Sequence, residues 1–284
     1  MKKEKVIRSP FFYTGDKYKL IPELKKYFPT EINKFVEPFV GGGSVFLNVN
    51  AKIYHENDID KNIMSIHHYL ASFKKIEDLL NILFAKINAY QFTCSYKGKT
   101  VPQELKAKYV KTYFAKYNAE FYKHLKEKYN ASDHSDIADL YLLLIYGFNR
   151  MLRFNQKGEF NLPVGNVDFN QNAVDALTNY VNLTNKKNIQ WSNEDYKSFL
   201  SKISLDENDF VYLDPPYLIT ASEYNKLWNQ KDDGELMCLL DELNKNKIRF
   251  ALSDVVEYKG KENTKLLDWA KKYNIYPIKS NYSR

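Results

Sequence analysis

The 284-residue chain has only two cysteines, Cys94 and Cys238, far apart and without companions. That excludes a disulfide framework and a cysteine-rich metal site, and it fits a reducing compartment. The histidines, His55, His67, His68, His124 and His134, have no ligand spacing with one another or with cysteine, so no metal is expected and none of them receives a role. No apolar run approaches the roughly 18 residues of a membrane span. No apolar stretch follows the charged start Met1-Lys2-Lys3-Glu4-Lys5, so neither a membrane partner nor a secretory leader is expected and the default location is the cytoplasm. Internal repeats and low-complexity tracts are also missing.

The balance of what is there is that of an ordinary folded domain, 44% hydrophobic and 27% charged. Lys and Arg total 42 against 35 for Asp and Glu, and this net charge of +7 favours a polyanionic partner. The 23 tyrosines and 18 phenylalanines add rings of the kind that stack on bases between phosphate contacts, although an AT-rich coding bias would produce the same composition.

Phe35-Val36-Glu37-Pro38-Phe39-Val40 is an apolar run that ends in Gly41-Gly42-Gly43 and resumes as Ser44-Val45-Phe46-Leu47. It reads as strand, glycine turn and helix start. Residues 52–58 read as a second strand ending in the acid Asp58, and Lys61 to Tyr69 as the next helix. Phe210-Val211-Tyr212-Leu213 and Arg249-Phe250-Ala251-Leu252-Ser253 have the continuous apolar character of central parallel strands, with helix-like Gly234 to Asn244 between them. Residues 70 to 190 are richer in helix formers. Within them Glu104 to Tyr129 carries seven lysines interleaved with aromatics, which predicts one basic helix. The expected architecture is a Rossmann-like α/β sheet domain with an inserted module.

A glycine cluster after a strand lets backbone approach a cofactor, and an acid ending the next strand can accept from both ribose hydroxyls. Glu37 to Gly43 with Asp58 fits a nucleoside cofactor, and the triplet does not match the dinucleotide fingerprint. The most specific feature is Asp214-Pro215-Pro216-Tyr217 at the end of an apolar strand. Two prolines fix the backbone and leave the Asp214 carboxylate and the Pro215 carbonyl as outward acceptors. An exocyclic amine donates two hydrogens to such a pair, which draws its nitrogen towards sp3 geometry and frees the lone pair to attack a sulfonium methyl group. Tyr217 is placed to stack on a flipped base.

With these motifs in hand the chain resembles the Dam-type DNA adenine methyltransferases, the phage-type members above all. The resemblance runs over nearly the whole length. It rests on Phe12 to Lys17 with Leu20 to Leu24, on Phe35 to Leu47, on Asp214 to Tyr217, and on Lys259 to Thr264, in the order of the family's alpha group. It implies an α/β AdoMet-dependent methyltransferase sheet, built from residues 1–69 and 186–284, with a helical and β-hairpin target-recognition domain at 70–185. The partners it implies are S-adenosylmethionine (AdoMet), without a metal, and double-stranded DNA containing GATC. Oligomeric state is left open. Tyr13 and Lys17 would lie near the methionine moiety, Glu37, Pro38, Phe39, Gly41 and Gly43 at the backbone turn, Asp58 at the ribose, Asp195 at the adenine end, and Asp214 beside the methyl group.

By the same resemblance, Phe148 to Asn155 and Gly158 to Gly165 form a hairpin that enters the major groove, turning at Asn155 to Gly158. Arg153 would pair with a guanine O6/N7 edge, Met151 and Pro163 would pack on the remaining base edges, Asn149 would sit where the duplex opens, and Arg150 would join the DNA contacts. Lys106, Lys108 and Lys111 are candidates for phosphate contacts.

The chain departs from the family at three places. Asn166-Val167 replaces a basic or aromatic pair after Gly165, so one DNA contact is expected to be missing. Ser253-Asp254 replaces Ser-Asn, which would add negative charge near the base pocket. Family members run on past an Asn-Tyr segment into a further strand, whereas the chain stops at Asn281-Tyr282-Ser283-Arg284, so an unpaired sheet edge is expected. Two rival readings follow. One is a truncated relative that grips DNA and AdoMet with little or no turnover. The other keeps the chemistry but acts on the N4 amine of cytosine or on adenine in RNA, because the acceptor pair sees only an amine.

Overall fold

Side chains alternate between the two faces of a strand, so a strand that is apolar at every position needs cover on both. In the computed structural model, which describes residues 5–13, 15–220 and 228–278, Phe210–Leu213 is such a strand and is buried throughout. It is β4 of a five-stranded parallel sheet containing β1 (Lys34–Glu37), β2 (Ile53–Asn57), β3 (Ile189–Ser192) and β5 (Arg249–Leu252), in the order β3-β2-β1-β4-β5. Strand order reverses between β1 and β4, where Phe35 pairs with Phe210 and Val36 with Val211. Ligands of open parallel sheets bind at the carboxyl ends of the strands flanking such a reversal.

The described residues form two compact units. The sheet unit comprises Lys19–Val40, Val49–Ile59 and Asn188–Arg284, and the helical unit Met1–Tyr18, Gly41–Asn48 and Asp60–Lys187. In the sheet unit, α8 (Tyr196–Ser201) and α9 (Gln230–Lys245) bury Phe199, Leu200, Leu236 and Leu240 against Val36, Val211 and Leu213. The opposite face is aromatic, with Phe28 at 5.0 Å from Phe210 and 5.4 Å from Tyr212. The short α1 (Ile21–Leu24), the two-residue strands β6 (Glu257–Tyr258) and β7 (Lys261–Glu262), and α10 (Thr264–Ala270) complete this unit.

The helical unit is assembled around α6 (Ile137–Tyr146), a helix that is apolar nearly all round and buried from Ala138 to Tyr146. Such a helix belongs at the centre of a bundle. Against it pack α2 (Lys61–Ala71), α3 (Ile76–Ala89) and α5 (Tyr113–Asn130), with α7 (Gln171–Thr184) on α2 and α3 and α4 (Gln103–Lys108) beside α5. The charge on this helix, Asp139, is paired with Lys86 Nζ at 2.9 Å and accepts from Tyr90 Oη at 2.8 Å. A buried carboxylate is tolerable only with such partners.

The strands at β1, β2, β4 and β5 and the helix at α9 stand where the sequence pattern puts them, within a few residues. Four features differ. The stretch after the glycine triplet is a 3-10 turn, Phe46–Asn48, rather than the start of an α-helix. The basic stretch 104–129 is two helices, α4 and α5, because the backbone leaves helical geometry at Tyr109 and again at Thr112. β3 has no strong apolar signal and was not anticipated. The packing units also divide the chain differently from the expected boundary at 69/70. Residues 60–69 go with the helices, because Ile63, Met64, Ile66, His67 and Leu70 on α2 are buried and α2 packs on α6 and α7. No helix of the described residues is long and apolar enough to cross a membrane. Thr14, in the first family motif, and the expected free edge at Asn281 to Arg284 fall outside the described residues.

Candidate active site

β4 delivers Asp214 to the carboxyl end of the sheet at the strand-order reversal, and Pro215 and Pro216 prevent the chain from continuing the ladder. Asp214 is half-buried there. The Tyr217 hydroxyl donates to Asp214 Oδ1 at 2.7 Å, so the tyrosine expected only to stack on a base also orients the carboxylate. The neighbouring end of β5 is tied to the same place, with Ser253 N donating to the Leu213 carbonyl at 2.9 Å and Ser253 Oγ 2.8 Å from Tyr212 Oη. Asp254, expected to bring charge towards the base pocket, accepts from the Val255 amide at 2.6 Å, which turns one of its oxygens onto its own backbone.

At the carboxyl ends of β1, β2 and β3 the organising side chain is Asn57, which sequence pattern did not single out. It is fully buried. Its Nδ2 donates to the Pro38 and Glu194 carbonyls, both at 3.0 Å, its Oδ1 accepts from Glu194 N at 2.9 Å, and its own carbonyl accepts from Val40 N at 2.8 Å. Asn193 adds Nδ2 bonds to the carbonyls of Asp58 at 2.7 Å and Ile59 at 3.0 Å. Three strand ends are thus cross-braced around Asp58. Asn57→Leu leaves buried carbonyls and an amide unpaired and is expected to lower unfolding stability by about 2 to 5 kcal/mol. Urea denaturation followed by circular dichroism checks this, and an unchanged midpoint would remove the bracing role.

The other expected cofactor residues of the sheet unit take distinct positions. Glu37 is buried at the end of β1, in register with Glu56 of β2. Phe39 packs on Tyr196 at 5.2 Å and Trp228 at 5.9 Å, while Trp228 Nε1 donates to Asp233 at 2.6 Å. Asp195 is exposed and caps α8 by accepting from Lys197 N at 3.0 Å, which by itself accounts for an acid at this position.

Tyr13, Lys17, Gly41 and Gly43 belong to the helical unit. The glycine triplet is required by its geometry. Gly41 and Gly43 have φ of +48° and +76°, and a Cβ at Gly43 would lie 2.3 Å from Phe46 Cε1. At Gly42 a Cβ would press on Tyr13 Cβ at 3.2 Å. Lys17 is buried, with its Nζ 3.4 Å from the Gly15 carbonyl. A turn stripped of side chains lets backbone approach a ligand closely.

The segment from Phe148 to Gly165 runs out and back. Phe148 N donates to Pro163 O, Asn161 N to Arg153 O, and Gly158 N to Asn155 O, each at 2.9 Å. The turn falls at Asn155 to Gly158, as expected. Pairing between the arms consists of single bridges, Phe154 with Phe160 and Gly147 with Val164, rather than a continuous ladder. Across the arms, Arg153 Nε donates to Asn161 Oδ1 at 2.9 Å and its Nη2 to the Asn161 carbonyl at 2.8 Å. This engages one side of the guanidinium fork and leaves the Nη1 end without a hydrogen-bond partner among the described residues.

Arg150, expected among the DNA contacts, is also packed within its own unit. It is half-buried, with its guanidinium 4.3 Å over the Phe12 ring, and burial lowers its pKa. It and exposed Asn149 both have left-handed backbone, φ +49° and +55°, a costly conformation for two successive non-glycine residues. Phe148, which sequence pattern passed over, is 51% exposed at the same turn. Met151 is half-buried and Pro163 exposed. Asn166 turns out to be a cap. Its Oδ1 accepts from the Phe114 and Ala115 amides of α5 at 2.9 and 3.2 Å, which explains an amide where a basic or aromatic residue was expected. Among the candidate phosphate contacts, Lys108 and Lys111 are exposed and Lys106 is half-buried.

Known proteins match this chain over most of its length. The Type II methyltransferase M.FokI of Planomicrobium okeanokoites is 34% identical over 287 residues, spanning 98% of this chain and 40% of that protein. The modification methylase StsI of Streptococcus sanguinis is 32% identical over 290 residues, spanning 99% of this chain and 40% of that protein. The DNA adenine methylase of Escherichia coli K12 is 28% identical over 215 residues, 75% of this chain and 66% of that protein. The chain therefore spans less than half the length of the first two relatives. Residues 13–283 match one family, and the match takes in both the glycine turn and Asp214-Pro215-Pro216-Tyr217. This chain belongs to the D12 class N6 adenine-specific DNA methyltransferases.

Proposed function

We propose that the chain methylates the exocyclic N6 of an adenine flipped out of duplex DNA, with GATC as its site and residues 70–185 as its target-recognition part. The observation that carries the chemistry is Asp214 at the carboxyl end of β4, oriented by the 2.7 Å bond from Tyr217. AdoMet, when bound, supplies an electrophilic methyl group on a sulfonium. The Asp214 carboxylate and the Pro215 carbonyl accept the two amine hydrogens and hold N6 pyramidal, with its lone pair directed at that carbon. Nitrogen would gain the methyl group as sulfur keeps the electrons of its broken bond, and the Asp214 carboxylate, already accepting one amine hydrogen, would take the proton that nitrogen releases. Tyr217 holds the carboxylate and presents its ring to the base.

By motif position, Tyr13, Lys17, Glu37, Pro38, Phe39, Gly41, Gly43, Asp58 and Asp195 bind AdoMet. Asn149, Arg150, Met151, Arg153 and Pro163 contact DNA. Arg153 is the proposed guanine reader. Its side fork is held by Asn161, so the end-on Nη1/Nη2 pair is the part that faces O6 and N7. The test is transfer of labelled methyl from AdoMet to a panel of duplexes in which each base pair of GATC is changed, with identification of the modified nucleoside. N6-methyladenine confined to GATC is expected. Label at other adenine sites would overturn GATC alone, label on cytosine or RNA would overturn the substrate, and binding without label would favour the non-catalytic relative.

Arg153→Ala is expected to weaken discrimination at one guanine by about tenfold to a hundredfold. Asn161→Ala is expected to cost a smaller part of the same discrimination, with binding to unrelated duplex unchanged. Competition between matched and substituted duplexes reads both values.

A further inference from the structure

His67 lies on α2 and is wholly buried. Its Nε2 is 2.8 Å from the Gly41 carbonyl, and its Nδ1 is 2.7 Å from Tyr180 Oη on α7, 113 residues away. A carbonyl only accepts, so Nε2 carries the proton, and Nδ1 must then accept from the tyrosine hydroxyl. Burial keeps the imidazole neutral, with its pKa pushed down to about 3. Phe11 and Phe46 rings pack on it at 4.4 and 6.2 Å. The imidazole is held at both nitrogens: the Gly41 carbonyl sets the Nε2–H tautomer, and the Tyr180 hydroxyl donates to Nδ1.

What this holds is the glycine turn. In a trans peptide the carbonyl of one residue and the amide N–H of the next point in opposite directions. With the Gly41 carbonyl drawn onto His67, the Gly42 N–H is turned away from the imidazole. Ser9 Oγ donates to the Gly42 carbonyl and so fixes the following peptide in the same way. The His67 Cε1 atom also stands 3.0 Å from where a Gly43 Cβ would be.

We propose that His67 and Tyr180 are positioning residues for AdoMet. They set the Gly41–Gly42 peptide so that its N–H is presented to the bound cofactor. This rests on the assignment of Gly41 to Gly43 to AdoMet binding made above, and it gives a function to a histidine that spacing left without one.

The test is AdoMet binding by calorimetry to the full chain and to Tyr180→Phe, His67→Gln and His67→Leu, alongside steady-state kinetics. Removing the tyrosine hydroxyl takes away the bond that Nδ1 accepts and loosens the imidazole, so Tyr180→Phe is expected to raise the AdoMet Kd by about tenfold. The KM for AdoMet should rise in parallel, while kcat at saturation and the KM for DNA stay within twofold. His67→Leu is expected to lose at least as much, and His67→Gln, whose amide can donate to the Gly41 carbonyl, to recover most of it. Nitrogen-15 shifts of His67 in the chain without AdoMet are expected to show the Nε2–H tautomer. An unchanged Kd in folded Tyr180→Phe and His67→Leu overturns the proposal, even if their melting temperatures fall, and if His67→Leu does not fold, Tyr180→Phe decides. The Nδ1–H tautomer overturns the geometry whatever AdoMet does. Failure of the unaltered chain to bind AdoMet overturns the cofactor assignment and this proposal with it.

Discussion

Asp214→Ala is expected to lower kcat for methyl transfer by about a thousandfold, with duplex binding unchanged. The carboxylate is half-buried at the end of β4 and held by Tyr217, so its geometry is set before substrate arrives. Alanine removes an acceptor whose value grows as the amine nitrogen takes up positive charge in the transition state, and the loss therefore falls on kcat rather than on KM. Asp214→Asn keeps one neutral carbonyl acceptor and the side-chain volume, and should lie between the alanine variant and the unaltered chain. Tyr217→Phe removes only the orienting bond and is expected to cost about tenfold in kcat. Labelled-methyl kinetics at saturating AdoMet, with anisotropy for DNA affinity, measure these values. A loss in Asp214→Ala confined to DNA affinity would contradict the assignment.

Gly43→Ala is expected to destabilise the chain by about 3 to 5 kcal/mol, most of the margin of a small natural domain. Two costs add. The backbone at φ +76° is unfavourable for any residue with a Cβ, and that Cβ would lie 2.3 Å from Phe46 Cε1. Phe46 is fully buried and cannot swing clear. Gly41 supplies the internal control. It has φ +48° but nothing within 4 Å of its would-be Cβ, so Gly41→Ala pays the backbone cost alone, about 1 kcal/mol. Urea denaturation of the two variants separates the effects, and equal destabilisation would show that the Phe46 contact is relieved by movement.

Much of the candidate site was visible as local pattern. Asp214 to Tyr217 follows an apolar run that can only be a covered strand, and Gly41 to Gly43 follows another. Prolines and glycines state backbone geometry directly, which is why the turns at these places and the Asn155 to Gly158 reversal were recognised. Local pattern misled where packing overrides propensity. The basic stretch reads as one helix because its lysines and aromatics are good surface residues throughout, yet the backbone breaks at Tyr109 to Thr112 and Asn166 caps the second segment from 52 residues away. Asp195, read at the adenine end of the cofactor, is also the cap of α8, a use for which aspartate is equally suited.

By itself, then, the sequence determined the family, the strands β1, β2, β4 and β5, and the Asp214-Pro215-Pro216-Tyr217 turn, because each is written in residues adjacent along the chain. Only the tertiary structure decided that Asn57 braces three strand ends, that Asn161 holds the side fork of Arg153, that α2 packs with the helices, and that a buried histidine holds the glycine turn through a tyrosine 113 residues away. Those outcomes depend on which distant side chains meet, and hydrogen bonds between distant residues leave no period or spacing in the sequence from which they can be read.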